Sequence, residues 1–248
     1  RGLGDVYKRQ VYSDPGSTSY EKLPRGLRRG IMHIAESLPA HRGVNFFVRK
    51  GKDLEERFIG NAYMFTPKDR KALLKIHTNA PDPMAITKPY YDQVKDQDDV
   101  TKMQYLDLHL WMAGDILLKA DKMSMANSLE LRVPFLDKEV MALAQRIPTR
   151  YRVIHKPSES GGTPYITKYA MRLAAKKDTP PQTAKTAAKK KLGFPVPIRV
   201  WLKEDTYYNM VKNTFEGNAA QQFFHTEKLV QLCLLYTSPS PRDPKTSR

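Results

Sequence analysis

Charged side chains are interspersed with apolar ones along residues 117–137, and this segment carries the residue types that bind carboxylates and phosphates. Because apolar residues favour the interior, we expect these charges to be drawn toward apolar surroundings. A buried charge without a partner costs several kcal/mol, and loss of one member of a buried pair costs about 3 to 5 kcal/mol. The charges are therefore expected to be paired. They are Lys119, Asp121, Lys122, Glu130, Arg132 and Asp137.

The backbone of this segment is expected to leave one helix and enter another. Glu130 and Arg132 stand two residues apart, a spacing that does not bring side chains face to face on a helix. Pro134 biases the residue before it toward an extended conformation. The pattern predicts a helix that ends near Leu129, an extended stretch, and a new helix capped by Asp137. From spacing alone, an ordinary core helix-turn-helix with common ion pairs is the favoured alternative.

Short motifs continue from this segment into the last third of the chain. They are Asp-Lys-x-Ser-Met-Ala at 121–126, Leu-Glu-x-Arg-Val-Pro-Phe-Leu-Asp at 129–137, Lys-Tyr-Ala-Met-Arg at 168–172, Lys-Leu-Gly-Phe at 191–194 and Trp-Leu at 201–202. In this order and at about this spacing, they resemble the synthetase domain of glutamine-hydrolysing asparagine synthetases. The resemblance covers roughly residues 20–224, and the combination is specific although several motifs alone are weak.

The resemblance implies an α/β fold, namely an adenine-nucleotide α-hydrolase-like synthetase domain, of which this chain would be the mainly helical C-terminal portion. It implies that aspartate becomes asparagine in an ATP-dependent reaction, through aspartyl-AMP and with ammonia from glutamine. ATP and Mg²⁺ are the implied cofactors. Aspartate, ATP and ammonia or glutamine are the implied small-molecule partners. A glutaminase domain is expected upstream in the full-length chain, and a homodimer is compatible with this family.

Such a reaction needs cations aimed at phosphate oxygens, a bridging metal, and a donor where negative charge develops at the carbonyl. Lys168 matches the family lysine that lies beside the phosphates, and it is the principal catalytic candidate. The ordinary alternative is that a lysine in the first turn of a helix is a solvated surface residue.

Further residues are candidates for the ATP or substrate side of the site. Arg132 has a planar fork suited to a carboxylate or phosphate, but pairing with Glu130 or Asp137 is an equally good reading of its position. Each of the other candidates also has a non-functional interpretation. Asp121 could cap a helix, Lys122 could be an exposed surface residue, and Lys191 could belong to a lysine-rich face. The six histidines have no ligand spacing, so no metal ligand is assigned. The candidates are Asp121, Lys122, Arg132 and Lys191, with Glu130 and Asp137 as structural ion-pair residues.

The family pattern also includes two upstream segments that this sequence lacks, a Ser-Gly-Gly-x-Asp-Ser pyrophosphate loop and an acidic segment that binds Mg²⁺. Both are expected just before Val11. The loop at 158–164 is not a substitute, because Pro164 lacks the backbone N–H that a phosphate loop uses, and its place in the order is wrong. We therefore expect the chain to be a fragment that is inactive alone, with its metal ligands in the missing upstream segment.

Composition favours one substantial core and no membrane span. The chain has 248 residues, 40% of them hydrophobic, and no apolar run approaches the length of a transmembrane helix. The N-terminus lacks the apolar region of a secretory signal, so a cytoplasmic protein is expected. Residues 1–10 look like a non-native adaptor, and 233–248 like a non-native disordered tail, which leaves 11–232 as the partial synthetase domain.

The charge balance leaves other classes of function open. A net charge of +16 is typical of proteins that bind polyanions, but the lysine-rich stretch 176–191 lacks the interleaved aromatic residues of nucleic-acid-binding surfaces. Nucleic acid is therefore a disfavoured partner. Cys233 is the only cysteine, which excludes a disulfide or a cysteine-based zinc site within one chain. The alternatives are a related amide-forming synthetase, such as a β-lactam synthetase-like enzyme, and a basic nonenzymatic nucleic-acid-binding module.

Apolar periodicity predicts the helices that would form the core. Residues 79–91 contain three prolines and are expected to form a loop. Thr66 and Pro67 are expected to begin a short helix that reaches about Ile76. One predicted core stripe is Leu27, Ile31, Ile34 and Leu38, and the longest is Val100, Met103, Leu106, Leu110, Ala113 and Leu117, with Asp98 or Asp99 at the positive end of its helix.

Overall fold

The computed structural model describes residues 19–38, 42–60, 63, 65–76, 79–155, 165–189 and 198–237, which are mostly helical. The helices are α1 (Arg25–Glu36), α2 (Arg42–Gly51), α3 (Leu54–Arg57), α4 (Pro67–Leu73), α5 (Pro83–Gln93), α6 (Asp99–Leu106), α7 (Leu118–Met125), α8 (Lys138–Arg146), α9 (Thr149–Arg152), α10 (Tyr169–Asp178), α11 (Pro181–Ala188), α12 (Ile198–Trp201), α13 (Asp205–Glu216), α14 (Asn218–Phe223) and α15 (Thr226–Thr237). A π-helical segment (Asp107–Leu117) joins α6 to α7, and 3₁₀ turns cover Ser19–Lys22 and Pro134–Leu136. In the described part, the named strands are β1 (Val153–His155) and β2 (Tyr165–Thr167), an antiparallel pair.

The chain divides into two compact units. The larger unit takes its described residues from 19–60 and 81–189, and the smaller takes them from 63–80 and 198–237. None of the helices in these described ranges is long and apolar enough to cross a bilayer.

A cluster of buried side chains connects the end of α3 with α5 and α6. Tyr91 is 1% exposed, and its hydroxyl donates a 2.7 Å hydrogen bond to the carbonyl oxygen of Phe58. Burial raises the pKa of Tyr91, so the hydroxyl stays a neutral donor. The buried members are Phe58, Tyr91, Val100, Met103 and Leu106, and Leu54, Tyr90, Leu110 and Val153 pack against them.

The predicted acidic start of the long helix is confirmed. Asp98 is the N-cap of α6, and its carboxylate accepts hydrogen bonds from the backbone N–H groups of Val100 and Thr101 at 3.0 and 3.1 Å. The hydroxyl of Thr149, the first residue of α9, donates to the same carboxylate at 2.9 Å. Asp98 therefore joins the start of α6 to the start of α9.

The apolar stripe along this helix is confirmed only in its first half. Val100, Met103 and Leu106 are buried, whereas Ala113 is exposed. The change coincides with the π-helical segment, whose i→i+5 hydrogen bonds widen the turn. A stripe spaced for 3.6 residues per turn consequently rotates away from the core after Leu110, which still packs against the buried cluster.

The predicted core stripe of α1 is wrong. Leu27 is 53% exposed and Ile34 is 68% exposed, while Met32 and Ala35 are buried. The packing against α2 explains the choice of face, because a Cβ at Gly51 would lie 2.5 Å from the Cβ of Met32. The glycine allows the two helices to approach on this side.

Ion pairs connect α1 to the start of α3. Arg29 pairs with Asp53 at 3.2 Å and with Glu56 at 2.8 Å, and Arg25 also pairs with Asp53. Asp53 and Glu56 form the capping box of α3. The N-terminal half of α1 is therefore attached, through ion pairs, to the start of α3, which leads into the core.

The loop predicted at 79–91 is also wrong, because α5 begins at Pro83. Asp82 caps this helix, accepting a 2.8 Å hydrogen bond from the N–H of Met84. Pro83 occupies the first helical position, where an N–H has no intrahelical partner and its absence costs little. The prolines thus mark the beginning of the helix, although Pro89 lies inside it.

In the smaller unit, α4 lies beside the chain that leads into α15. The predicted Thr66 cap and Pro67 start are confirmed, although α4 ends at Leu73 instead of Ile76. Backbone hydrogen bonds of 2.8 Å run from Lys75 to Phe223 and from His225 to Leu73. The last helix, α15, begins at Thr226 and continues to Thr237.

Candidate functional site

Lys168 lies at the junction between the end of β2 and the start of α10. Its backbone has φ 58° and ψ 36°, which places it in the left-handed region. Lys168 was expected in the first helical turn, but it precedes the helix. The reason is that pairing of Thr167 with Val153 continues the strand up to the preceding residue, so the chain turns at Lys168.

The side chain of Lys168 is exposed, and among the described residues its ammonium makes no ion pair or hydrogen bond. A non-glycine residue in the left-handed region is uncommon and costs about 1 to 3 kcal/mol. Such conformations persist where surrounding contacts hold them, and they cluster at functional sites. The candidate catalytic lysine is therefore held in a constrained turn with its charge open to solvent.

Arg172 provides contacts on both sides of this turn. Its Nε donates a 3.1 Å hydrogen bond to the carbonyl oxygen of Thr167, and its backbone N–H donates at 3.0 Å to the carbonyl oxygen of Lys168. Its Nη1 donates to the carbonyl oxygens of Ala187 and Lys189, the latter at 3.1 Å. A single side chain thus connects the turn at Lys168 with the C-terminal end of α11.

A second set of contacts connects the core to the strands before Lys168. The guanidinium of Arg152 donates a 2.7 Å hydrogen bond to the Gln104 side chain on α6. The next residue, Val153, packs against the buried cluster and begins β1. Because Val153 pairs with Thr167, the register of β2 and the position of Lys168 depend on this anchor.

The segment 117–137 contains the predicted change from helix to extended chain, but the change comes earlier. Helix α7 ends at Met125, four residues before the predicted end near Leu129. Ser128 adopts φ 55°, and the N–H of Leu129 donates a 2.9 Å hydrogen bond to the carbonyl oxygen of Ser124. This left-handed turn ends the helix, and nothing in the residue type of Ser128 indicates it from sequence.

The predicted cap at Asp137 is confirmed. Its carboxylate accepts from the N–H groups of Glu139 at 2.9 Å and Val140 at 3.3 Å, at the start of α8. The carboxylate of Asp137 therefore serves the helix terminus, and Arg132 pairs instead with Glu130 at 2.5 Å.

The expected burial of these charges is wrong. The side chain of Arg132 is 83% exposed and that of Glu130 is 73% exposed. Asp121 and Lys122 are exposed within α7, so Asp121 is not a helix cap. Neighbouring apolar side chains are exposed as well, which removes the low-polarity surroundings that pairing was expected to satisfy.

The structure brings together only part of the predicted site. Glu130 and Arg132 form a contact pair, and Lys168 lies in the same compact unit as Asp121, Lys122 and both of these residues. Lys191 and the 158–164 loop lie outside the described residues. Arg172 was not singled out from sequence, although it ends the Lys-Tyr-Ala-Met-Arg motif that contains Lys168.

The described residues do not provide a site suited to Mg²⁺. No group of three or more His, Cys, Asp or Glu side chains within them is arranged to hold a metal ion. A cavity of about 530 Å³ is lined by Asp53, Glu56 and Asp99 among others. However, arginines already pair with these carboxylates, including Arg57 with Asp99 at 3.3 Å.

Comparison with known proteins identifies the family. The asparagine synthase family model matches residues 15–242. The chain is 41% identical over 224 residues to asparagine synthetase [glutamine-hydrolyzing] 1 of Bacillus subtilis, a match that covers 90% of this chain and 33% of the relative. It is 40% identical over 201 residues to putative asparagine synthetases [glutamine-hydrolyzing] of Mycobacterium bovis and Mycobacterium tuberculosis, covering 78% of this chain and 28% of each relative.

These matches set the extent of the identification. The chain spans about a third of the length of the curated relatives that it matches. No solved structure matches it. Because the family model covers most of the sequence, and the motifs around Lys168 and Arg132 lie inside the matched range, the chain belongs to the asparagine synthase family.

Proposed function

We propose that this chain is part of an enzyme that converts aspartate to asparagine by ATP-dependent amide-bond formation, with ammonia supplied from glutamine. The family match supports the reaction class. The single structural observation that carries the site assignment is the exposed ammonium of Lys168, which no described carboxylate neutralises. Its positive charge is available to an anionic substrate.

The proposed chemistry has two steps. The side-chain carboxylate of aspartate attacks the α-phosphorus of ATP, the bond to pyrophosphate breaks, and aspartyl-AMP forms. Ammonia then attacks the acyl carbon, AMP leaves, and the nitrogen loses a proton to give the amide. Lys168 stabilises the negative charge that grows on phosphate and carbonyl oxygens in these steps. Mg²⁺, when bound, offsets phosphate charge, and its ligands are proposed to lie in protein segments outside this chain.

Further residues are proposed to serve the substrate side of the same site. Arg132 offers a fork for a carboxylate or phosphate, although it must exchange its contact with Glu130 to do so. Asp121, Lys122 and Lys191 are proposed as further contacts to ATP or aspartate.

The complete protein is proposed to contain more than this chain. We propose an adenine-nucleotide α-hydrolase-like α/β domain in a cytoplasmic protein, with a glutaminase domain upstream and two copies per assembly as a compatible form. The 248-residue chain alone is proposed to be inactive, because its sequence lacks the family's pyrophosphate loop and the part of the chain that the structure describes holds no metal site. ATP-dependent pyrophosphate release by this chain with aspartate and ammonia would contradict that proposal.

Substitution of Lys168 in the complete protein tests the assignment. Lys168→Ala should lower ammonia-dependent synthesis about a hundred- to a thousandfold, the usual loss for one preorganised donor, and leave glutamine hydrolysis nearly unchanged. Lys168→Arg should rescue poorly, because a forked guanidinium does not replace a compact ammonium. The measurement is pyrophosphate release with ammonia as nitrogen donor. Wild-type turnover in Lys168→Ala would remove the assignment.

Product analysis distinguishes the proposal from a related amide-forming synthetase. Mass spectrometry of reactions with aspartate should find asparagine and AMP in equal amounts. A product from a different carboxylate substrate, formed with the same dependence on Lys168, would reassign the enzyme within amide-forming chemistry.

A further inference from the structure

We infer that Arg172 is a positioning residue for Lys168, and that it sets the lysine's place by holding the turn and the end of α11 together. The inference rests on the proposed function for its catalytic consequence. The structural part of the inference, that Arg172 holds the turn at Lys168, depends only on the contacts of Arg172.

Hydrogen bonds hold the carbonyl groups on both sides of the Lys168 backbone. Thr167 and Lys168 contribute consecutive carbonyl groups. Nε of Arg172 donates to the first at 3.1 Å, and the second accepts the first hydrogen bond of the helix, from the backbone N–H of residue 172 at 3.0 Å. Between these two anchored carbonyls the backbone of Lys168 adopts its left-handed conformation. A lysine does not favour this conformation by itself, so contacts on either side must maintain it.

The same arginine side chain also binds the C-terminal end of α11. The last carbonyl groups of a helix have no intrahelical partner, and a cation beside them is favourable. Nη1 of Arg172 occupies this position, donating to the carbonyl oxygens of Ala187 and Lys189. The rest of the side chain is held at Thr167, so α11 acts as a fixed support from which the guanidinium holds the turn.

Arginine is required by the arrangement of acceptors. Nε and Nη1 point in fixed directions from one planar group. Nε serves Thr167, whereas Nη1 serves Ala187 and Lys189, which lie 20 and 22 residues further along the chain. A lysine at position 172 keeps the charge but has a single donor nitrogen, which cannot occupy both places. Arg172→Lys should therefore lose positioning while it retains the electrostatic contribution near α11.

Hydrogen exchange in the complete protein tests the structural part. Arg172→Gln and Arg172→Lys should both accelerate exchange of backbone amides in 166–172 and 186–189 about ten- to a hundredfold, the loss expected for hydrogen bonds to a charged group. Arg146→Gln removes an exposed arginine from the last turn of α8 and is the matched control, with no change in these peptides. Unchanged exchange in both Arg172 variants would overturn the inference whatever the enzyme's activity.

Kinetics separates positioning of Lys168 from a general structural role. Arg172→Lys should lower kcat for ammonia-dependent pyrophosphate release about tenfold or more, with KM for ATP little changed. The double variant with Arg172→Lys and Lys168→Ala should lose no more kcat than Lys168→Ala alone, because the two residues act as one unit. Multiplied losses would show that Arg172 acts independently of Lys168 and would overturn the inference. If wild-type protein released no pyrophosphate, the proposed function would fail, while hydrogen exchange would still decide the structural part.

Discussion

At the scale of single residues, the hydroxyl of Tyr91 shows how one buried polar group fixes the core. It is the donor for the carbonyl oxygen of Phe58, at the point where the chain leaves α3. The hydrogen bond lies within the buried cluster, where the surrounding side chains exclude water. The contact sets where the residues after α3 meet α5.

Tyr91→Phe should therefore lower the free energy of unfolding by about 1 to 3 kcal/mol, because it removes a buried hydrogen bond to the Phe58 carbonyl oxygen. Tyr105→Phe is the matched control. The Tyr105 hydroxyl donates to Gln93 at 2.7 Å on the surface, where water can replace this hydrogen bond. Tyr105→Phe should therefore change the free energy of unfolding by no more than about 0.5 kcal/mol. Urea unfolding followed by near-ultraviolet circular dichroism measures both, and equal losses would contradict the assigned importance of burial.

The pair of Glu130 and Arg132 has the opposite character. Although the contact is short, both side chains are mostly exposed, and exposed pairs contribute about 0 to 1 kcal/mol. A double-mutant cycle with Glu130→Ala and Arg132→Ala should give a coupling energy below about 1 kcal/mol, reduced further by salt. A coupling of 3 kcal/mol or more, as for a buried pair, would restore the interpretation made from sequence.

At the scale of elements, the capping residues were predictable from sequence because they act locally. Thr66 and Asp137 precede helical runs and bond to N–H groups two or three residues ahead, so no distant part of the chain decides their role. The packed face of α1 was not predictable, since it depends on where Gly51 permits α2 to approach. Periodicity identified the helix but could not identify its neighbour.

The same distinction applies to the candidate site. A motif resemblance was sufficient to select Lys168, because the order of residue types survives in sequence. Its left-handed conformation was not predictable, since it results from strand pairing at Thr167 and from carbonyl contacts of Arg172. The exposed state of the 121–137 charges was missed because apolar neighbours in sequence were taken for apolar neighbours in space.

Asp98 joins two elements and should make their stability depend on pH. Burial opposes ionisation of Asp98, but hydrogen bonds from Thr101 and Thr149, with Arg152 nearby, outweigh it and hold its pKa below the usual value. A carboxylate with a depressed pKa stabilises the fold above its unfolded-state pKa, and this stability is lost as pH falls through the folded-state pKa. Unfolding in mild acid should therefore include release of the α6 and α9 connection.

Asp98→Ala should cost about 0.5 to 2 kcal/mol at neutral pH, as for loss of an N-cap, and flatten the decline in stability between neutral and acidic pH. Thr149→Val removes one stabilising hydrogen bond and should shift the acid transition of the wild type to a higher pH. Urea midpoints across a pH series measure both. An acid decline in Asp98→Ala as steep as that of the wild type would show that other groups dominate.

At the scale of the whole molecule, net charge and exposed apolar surface act in opposite directions. The chain carries a net charge of +16, which keeps copies apart at low ionic strength. Leu129 is 63% exposed and Phe135 is 65% exposed, and the methionines at 123 and 125 are each 62% exposed. Apolar residues exposed together along one segment are typical of surfaces that associate.

Salt decides between the two effects, because it screens charge repulsion and leaves apolar association in place. We expect the chain to remain monomeric at low salt and to associate as salt and protein concentration rise. Leu129→Ser and Phe135→Ser together should reduce this association with little change in stability, because exposed side chains contribute little to the core. Val100→Ser is the contrasting control: Val100 is 2% exposed, so the substitution should lower stability and increase aggregation through unfolding. Light scattering across a salt series measures association, and undiminished association in the Leu129 and Phe135 double variant would show that another surface is responsible.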